Sequence, residues 1–178
     1  MAVEDLLNTL RSGAPDDPDA EWRAAIALGA AEGEDRTAAV VGLIEILSSG
    51  HAHALTRSHA VEALGRLADP QAIPKLLNAL DDPYRLVRAY AASALGRVAT
   101  SEEVLNRLLE RLEDDYFGVR AEAAAAATNV AMRSGNAALR GRVREELKAR
   151  RAKEQTMPQV GTERVVTEID RCLTKLDS

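Results

Sequence analysis

A single cysteine, Cys172, leaves this chain no intrachain disulfide, which excludes the small disulfide-stapled folds and makes the reducing cytoplasm the simplest expected compartment. Rings are almost as scarce: one Trp, one Phe and three Tyr. So few aromatics give little platform for stacking on nucleobases. No apolar run approaches the roughly 18 residues of a membrane-spanning helix. The opening MAVEDLLNTL has neither the basic start nor the apolar stretch of a secretory signal. Runs of β-branched residues and Gly-rich phosphate loops are missing too.

What the chain does have is alanine, leucine, glutamate and arginine, the residues that cost least in a helix. Its 178 residues fit one domain with a respectable core. The net charge of −5 is unevenly spread. Residues 1–132 carry 12 basic and 21 acidic side chains, residues 133–153 carry 8 and 2, and the last 25 residues carry 3 and 5. A mainly acidic body is thus followed by one basic segment.

The dominant pattern is a repeat. Residues 57–87, RSHAVEALGRLADPQAIPKLLNALDDPYRLV, are followed by RAYAASALGRVATSEEVLNRLLERLEDDYFGV, and a third copy opens at Arg120 with RAEAAAAATNVA. Ala60, Ala63, Leu64 and Leu67 return as Ala91, Ala94, Leu95 and Val98, then as Ala123, Ala126, Ala127 and Val130. A looser copy precedes them at Ala24, Ala27, Leu28 and Ala31, giving spacings of 36, 31 and 32 residues. Such periods mark stacked helical repeats, in which no helix pair can bury its apolar stripes alone. The expected fold is all-α, an α-solenoid of about four helix pairs forming a single domain over residues 1–178. Residues 1–12 and 162–177 are expected as amphipathic capping helices, with the repeats over 18–153.

Local signals predict the boundaries. Asp17 with Pro18 starts the first A helix, which Gly33 ends, and its partner runs from Asp35 to Ser49 with Gly50 as the stop. Asp69-Pro70 and Asp82-Pro83 start later helices, and Thr100 with Glu103 forms a capping box. Asp114 and Asp115 open a helix to Met132. A long basic helix then reaches Lys153, residues 155–161 form a loop around Pro158, and Thr162 caps the last helix. Gly29, Gly65 and Gly96 share one register, with Thr128 in the fourth copy. A helical Gly costs about 1 kcal/mol against Ala, so its return points to close packing or a bend.

The A-L-G triplet, the Asp-Pro turn, the paired Leu and the D-D/P-x-x-x-V-R junction of ALGRLADPQAIPKLLNALDDPYRLVR resemble a HEAT-like repeat of the type found in phycobilin lyases and bacterial scaffold proteins. The resemblance covers about residues 54–132. It implies a solenoid whose B helices line the concave surface. Deoxyhypusine hydroxylase, a HEAT-like di-iron enzyme, is marked by His-Glu pairs near the start of its A helices. Ser58-His59, Ala89-Tyr90 and Ala121-Glu122 stand there in this chain, so that ligand set is absent.

Candidate functional residues follow from breaks in the pattern. Arg57, Arg88 and Arg120 recur at the junctions, where a guanidinium's five donors suit an acidic turn such as Asp81-Asp82 or Asp114-Asp115 of the next repeat. Tyr84 and Tyr116 recur likewise and read as packing between repeats. His51, His53 and His59 could ligate a transition metal, but no carboxylate or Cys nearby completes a site, so neither metal nor cofactor is expected. Cys172 reads as a buried thiol on the apolar face of the last helix. No catalytic constellation is present. The basic segment breaks the pattern most: Arg140, Arg144, Lys148 and Arg151 make one helical stripe at spacings of 4, 4 and 3. With Lys75, Arg107 and Arg111 these residues form the expected partner-binding surface. The corresponding function is a non-enzymatic adaptor that binds another protein, through an acidic segment, in the groove. Two alternatives remain open: a phycobilin lyase-like protein or lyase subunit gripping a tetrapyrrole by its propionates, and a duplex nucleic-acid binder.

Overall fold

A computed structural model describes residues 2–13, 16–17, 19–50, 53–156 and 160–177. The expectations placed on Pro18, His51 and Pro158 lie outside these. Ten α-helices are present among the described residues, with two short 3-10 turns and no strand. They are α1 (Val3–Ser12), α2 (Ala20–Leu28), α3 (Gly33–Ser48), α4 (Ala54–Leu67), α5 (Ile73–Ala79), α6 (Arg85–Val98), α7 (Glu102–Glu110), α8 (Phe117–Arg133), α9 (Ala137–Thr156) and α10 (Thr162–Asp177). The 3-10 turn Pro70–Ala72 leads into α5, and Arg111–Glu113 follows α7.

The helices form two layers. The A layer runs α2, α4, α6, α8, α10, each packed on the one before. The B layer is α3, α5, α7 and α9, and α1 closes the N-terminal end against α2 and α3. Between the layers lies one core of Leu, Ala, Val and Ile that includes Leu28, Leu43, Leu64, Leu76, Leu95, Leu108, Val130 and Leu147. Leu6, Leu7 and Leu10 of α1 and Val165, Ile169, Cys172 and Leu176 of α10 extend it to both ends. The polar faces of α1 and α10 then meet water, as the terminal elements of a solenoid require.

The recurrent glycines set the spacing within the A layer. A Cβ built on Gly29 falls 3.0 Å from Cα and Cβ of Ala63. One on Gly65 falls 2.8 Å from the Ala94 Cβ, and one on Gly96 falls 2.8 Å from Cα and Cβ of Ala126. Successive A helices therefore touch backbone to backbone. At the fourth register Thr128 replaces Gly, and the neighbouring α10 presents Cys172 near it.

Adjacent B helices touch far less along their lengths. The A layer is thus the more closely spaced of the two.

Several boundaries also move. Gly33, with φ at 58°, begins α3 instead of ending α2. α2 starts at Ala20, and its N-cap Asp19 makes no side-chain cap. Ser101 caps α7, accepting from the Val104 N–H at 3.4 Å, in place of Thr100. α9 continues to Thr156, and the Thr162 hydroxyl donates to Glu154 at 3.0 Å. Gly50, with φ at 70°, does stop α3.

Candidate functional site

The recurrent arginines stitch each repeat to the next. Arg57 donates from Nε and Nη2 to the two Asp82 oxygens, both at 2.9 Å. Arg88 repeats the fork on Asp114 at 2.8 Å for both bonds and reaches Asp115 at 2.6 Å. Each Asp also accepts the N–H two residues on, Tyr84 at 2.8 Å and Tyr116 at 2.9 Å, which turns the chain into the next A helix. Burial pushes the Asp114 carboxyl up. The bonds from Arg88, the Tyr116 N–H and Asp115 outweigh it and leave the group below its usual range.

The last rung has no aspartate turn and uses Glu154 of α9 instead. Arg120 and Glu154 are each 1% exposed and pair at 2.6 Å. Arg150 of α9 and Thr162 of α10 complete the set around Glu154. Burial raises the Glu154 pKa, but bonds from Arg150, Arg120 and Thr162 dominate and lower it overall. The corresponding residue of the first copy is Glu21, which accepts from Thr56 at 3.1 Å and lies 3.1 Å from His53. This ladder is structural. Tyr116 belongs with it, since Arg85 of the preceding repeat lies over its ring at 4.8 Å.

The basic stripe of α9 is not an open row. Arg144 is tied to α10 through Asp177 at 2.9 Å and the Leu176 carbonyl at 2.7 Å, and Arg151 through Asp170 at 2.5 Å. Lys148 pairs with Glu145 of its own helix at 2.9 Å. Arg107 and Arg111 both reach Asp81, at 2.6 and 3.1 Å. Arg140 and Lys75 are half-buried with no ion pair among the described residues. The stripe thus holds α10 in place, and most of its charge is neutralised within the fold.

The A face is arranged differently. Trp22 of α2, His59 of α4 and Tyr90 of α6 form a row of rings across three helices. Centroids lie 5.5 Å apart for Trp22 and His59 and 6.3 Å apart for His59 and Tyr90. His59 Nδ1 is 3.2 Å from Glu62, which also accepts from Arg66 at 2.7 Å. Burial raises the Glu62 pKa, but those bonds prevail and hold it ionised. Beyond Tyr90 the next A helix supplies Glu122 at the same register, half-buried and without a hydrogen-bond or ion-pair partner among the described residues.

Glu62, Gly65, Tyr90, Ser93, Ala94, Arg97 and Glu122 line a cleft of about 90 Å³. The Tyr90 phenol is pushed up by burial and by the charges of Glu62 and Glu122.

Sequence reasoning passed over this face. Its signal was the register His59, Tyr90, Glu122, three dissimilar residues on an otherwise constant alanine frame. Among the described residues no three His, Cys, Asp or Glu side chains gather to hold a metal.

The HEAT-repeat family model matches residues 40–129. No curated protein gives a significant sequence match. Among solved structures, the complex of CpcE and CpcF of phycocyanin lyase from Nostoc sp. PCC7120 contains a chain 21% identical to this one, with a TM-score of 0.71 over 96% of this chain and 97% of that one. A designed armadillo repeat protein in complex with the peptide (KR)4 is 20% identical, with a TM-score of 0.65 over 97% and 82%. A second designed armadillo repeat protein is 21% identical, with a TM-score of 0.66 over 98% and 82%. At these identities the likeness is one of fold.

Proposed function

Since this chain belongs to the HEAT-repeat family, whose helical scaffold suits a role in protein interaction, we propose that it is a non-enzymatic adaptor seating a partner polypeptide along the A face. One observation carries this reading: three consecutive A helices present Trp22, His59 and Tyr90 as a continuous row, beside the unpartnered carboxylate of Glu122. Solvent-facing rings in a groove supply large contact area at low entropic cost. The structural neighbours lend support, because one is a complex of CpcE with CpcF and another holds a bound peptide. The first-expected surface on α9 is less apt, since its cations already have carboxylates within the fold.

The test is a peptide array probed with the wild-type chain and two variants. Tyr90→Ala is expected to abolish capture of the peptides that the wild type binds. The pair Arg140→Glu with Lys148→Glu is expected to leave it intact. Capture lost only in the α9 variant would overturn the groove and restore the basic stripe.

A second reading, a lyase subunit handling a tetrapyrrole, has the fold likeness to CpcE and CpcF behind it. The A-face cleft of about 90 Å³ is too small for a tetrapyrrole, but open clefts of about 380 Å³ at Arg85 and Arg88 and of about 370 Å³ at Arg36 and Arg66 reach the roughly 300 Å³ at which small-molecule pockets begin. Added bilin should shift its visible bands if this reading holds, and unshifted bands would overturn it.

A further inference from the structure

We infer that the cleft at Tyr90 receives a cationic side chain, so that the segment seated in the groove carries Arg or Lys at that point. This rests on the groove reading and adds the chemistry of its occupant.

Size comes first. About 90 Å³ is the space of roughly three water molecules, which admits a guanidinium or ammonium head. Gly65, Ser93 and Ala94 line it with small groups.

Charge comes second. Glu62 and Glu122 come from different repeats and flank Tyr90 on its two sides. Glu62 has its bonds to His59 and Arg66, whereas Glu122 has no partner of its own among the described residues. A half-buried carboxylate gains most from a partner that arrives with a charge and N–H donors. The face of Tyr90 adds a cation–π contact for the same head group. Arg97 stands exposed at the rim, where its flexible stem can turn to solvent and leave the carboxylates to the incoming cation. The acidic balance of residues 1–132 steers a basic segment toward this face.

The chain carries its own reporter, because Trp22 is its only tryptophan and ends the ring row. Its emission is to be titrated with three octapeptides of equal length: alternating Lys-Arg, alternating Ser-Gln and alternating Asp-Glu. The basic peptide is expected to bind at least tenfold more tightly than the other two. Glu122→Gln and Tyr90→Leu should each weaken it about tenfold, as expected for the loss of one charge-assisted contact. Glu34→Gln removes an equal charge from the exposed start of α3 and should change binding less than twofold.

Equal losses at Glu34 and Glu122 would reduce the effect to net charge and overturn the inference. Tighter binding of the neutral or acidic peptide would overturn it while leaving the groove in place. No binding by any of the three would bring down the groove reading itself.

Discussion

Adding one methyl group to a helix is expected to have opposite effects at Gly96 and Gly141. Both glycines sit inside helices, where Ala is favoured by about 1 kcal/mol. Around Gly141 a built Cβ meets nothing within 4 Å, so Gly141→Ala should realise that gain. At Gly96 the same atom would lie 2.8 Å from Cα and Cβ of Ala126. Carbon atoms rest about 3.5–4.0 Å apart, so α6 and α8 would have to separate by about 0.7 Å or more. Neither obstacle is the flexible end of a side chain, and overpacking of this kind costs about 1–3 kcal/mol. Gly96→Ala should therefore lose about 1 kcal/mol net, leaving the two variants about 2 kcal/mol apart. With a urea dependence of about 2 kcal/mol per molar, their unfolding midpoints should differ by about 1 M. Urea titration followed by helical circular dichroism measures this directly. If Gly96→Ala stabilises the chain as much as Gly141→Ala does, the A helices are not in backbone contact.

Three further outcomes follow from the ladder and the end of the stack. Asp114 has a folded pKa below its unfolded one, so its contribution is present above the unfolded value of about 4 and is lost as pH falls through the folded value. Arg88→Ala removes the principal bonds that lower it and should move the acid-unfolding midpoint to higher pH; an unmoved midpoint would contradict the ladder. Burial raises the Cys172 pKa, and the weak donor capacity of Thr128 does not reverse it. The native thiol should therefore react with an aromatic disulfide reagent far more slowly than the urea-unfolded chain does, and equal rates would refute its burial. Reversing Arg144 and Arg151 together to Glu should loosen α10, because two partly exposed pairs to it become repulsive. Limited proteolysis should then cut first at α10, while binding to the A face persists.

The solenoid was legible because its physical cause is periodic. Ala60, Ala91 and Ala123 hold one register, and the arginine junctions at 57, 88 and 120 return with it, so both the stack and the partners of Arg57 and Arg88 followed from spacing. Helix starts were less legible. Thr100 and Ser101 are both good caps, and the geometry that selects Ser101 depends on where the preceding turn leaves the chain.

The candidate surface was hardest to read. The stripe on α9 looked free because its partners Asp170 and Asp177 lie 19 and 33 residues away on another helix. Their polar spacing also fits a solvated face equally well. The groove residues were in plain view as His59, Tyr90 and Glu122, but their meaning depended on which layer is the tighter one. That is set by Gly65 against Ala94 and Gly96 against Ala126, contacts between repeats that a register alone does not reveal.

Amide chemical-shift mapping of the isotope-labelled chain separates binding at the proposed A face from binding along α9. Titrated with a peptide that the chain captures, the largest shifts should fall at Gly65, Tyr90, Ser93 and Glu122, with smaller ones at Trp22. Shifts concentrated instead along α9, at Arg140 and Lys148, with Tyr90 and Glu122 unmoved, would contradict binding at the A face.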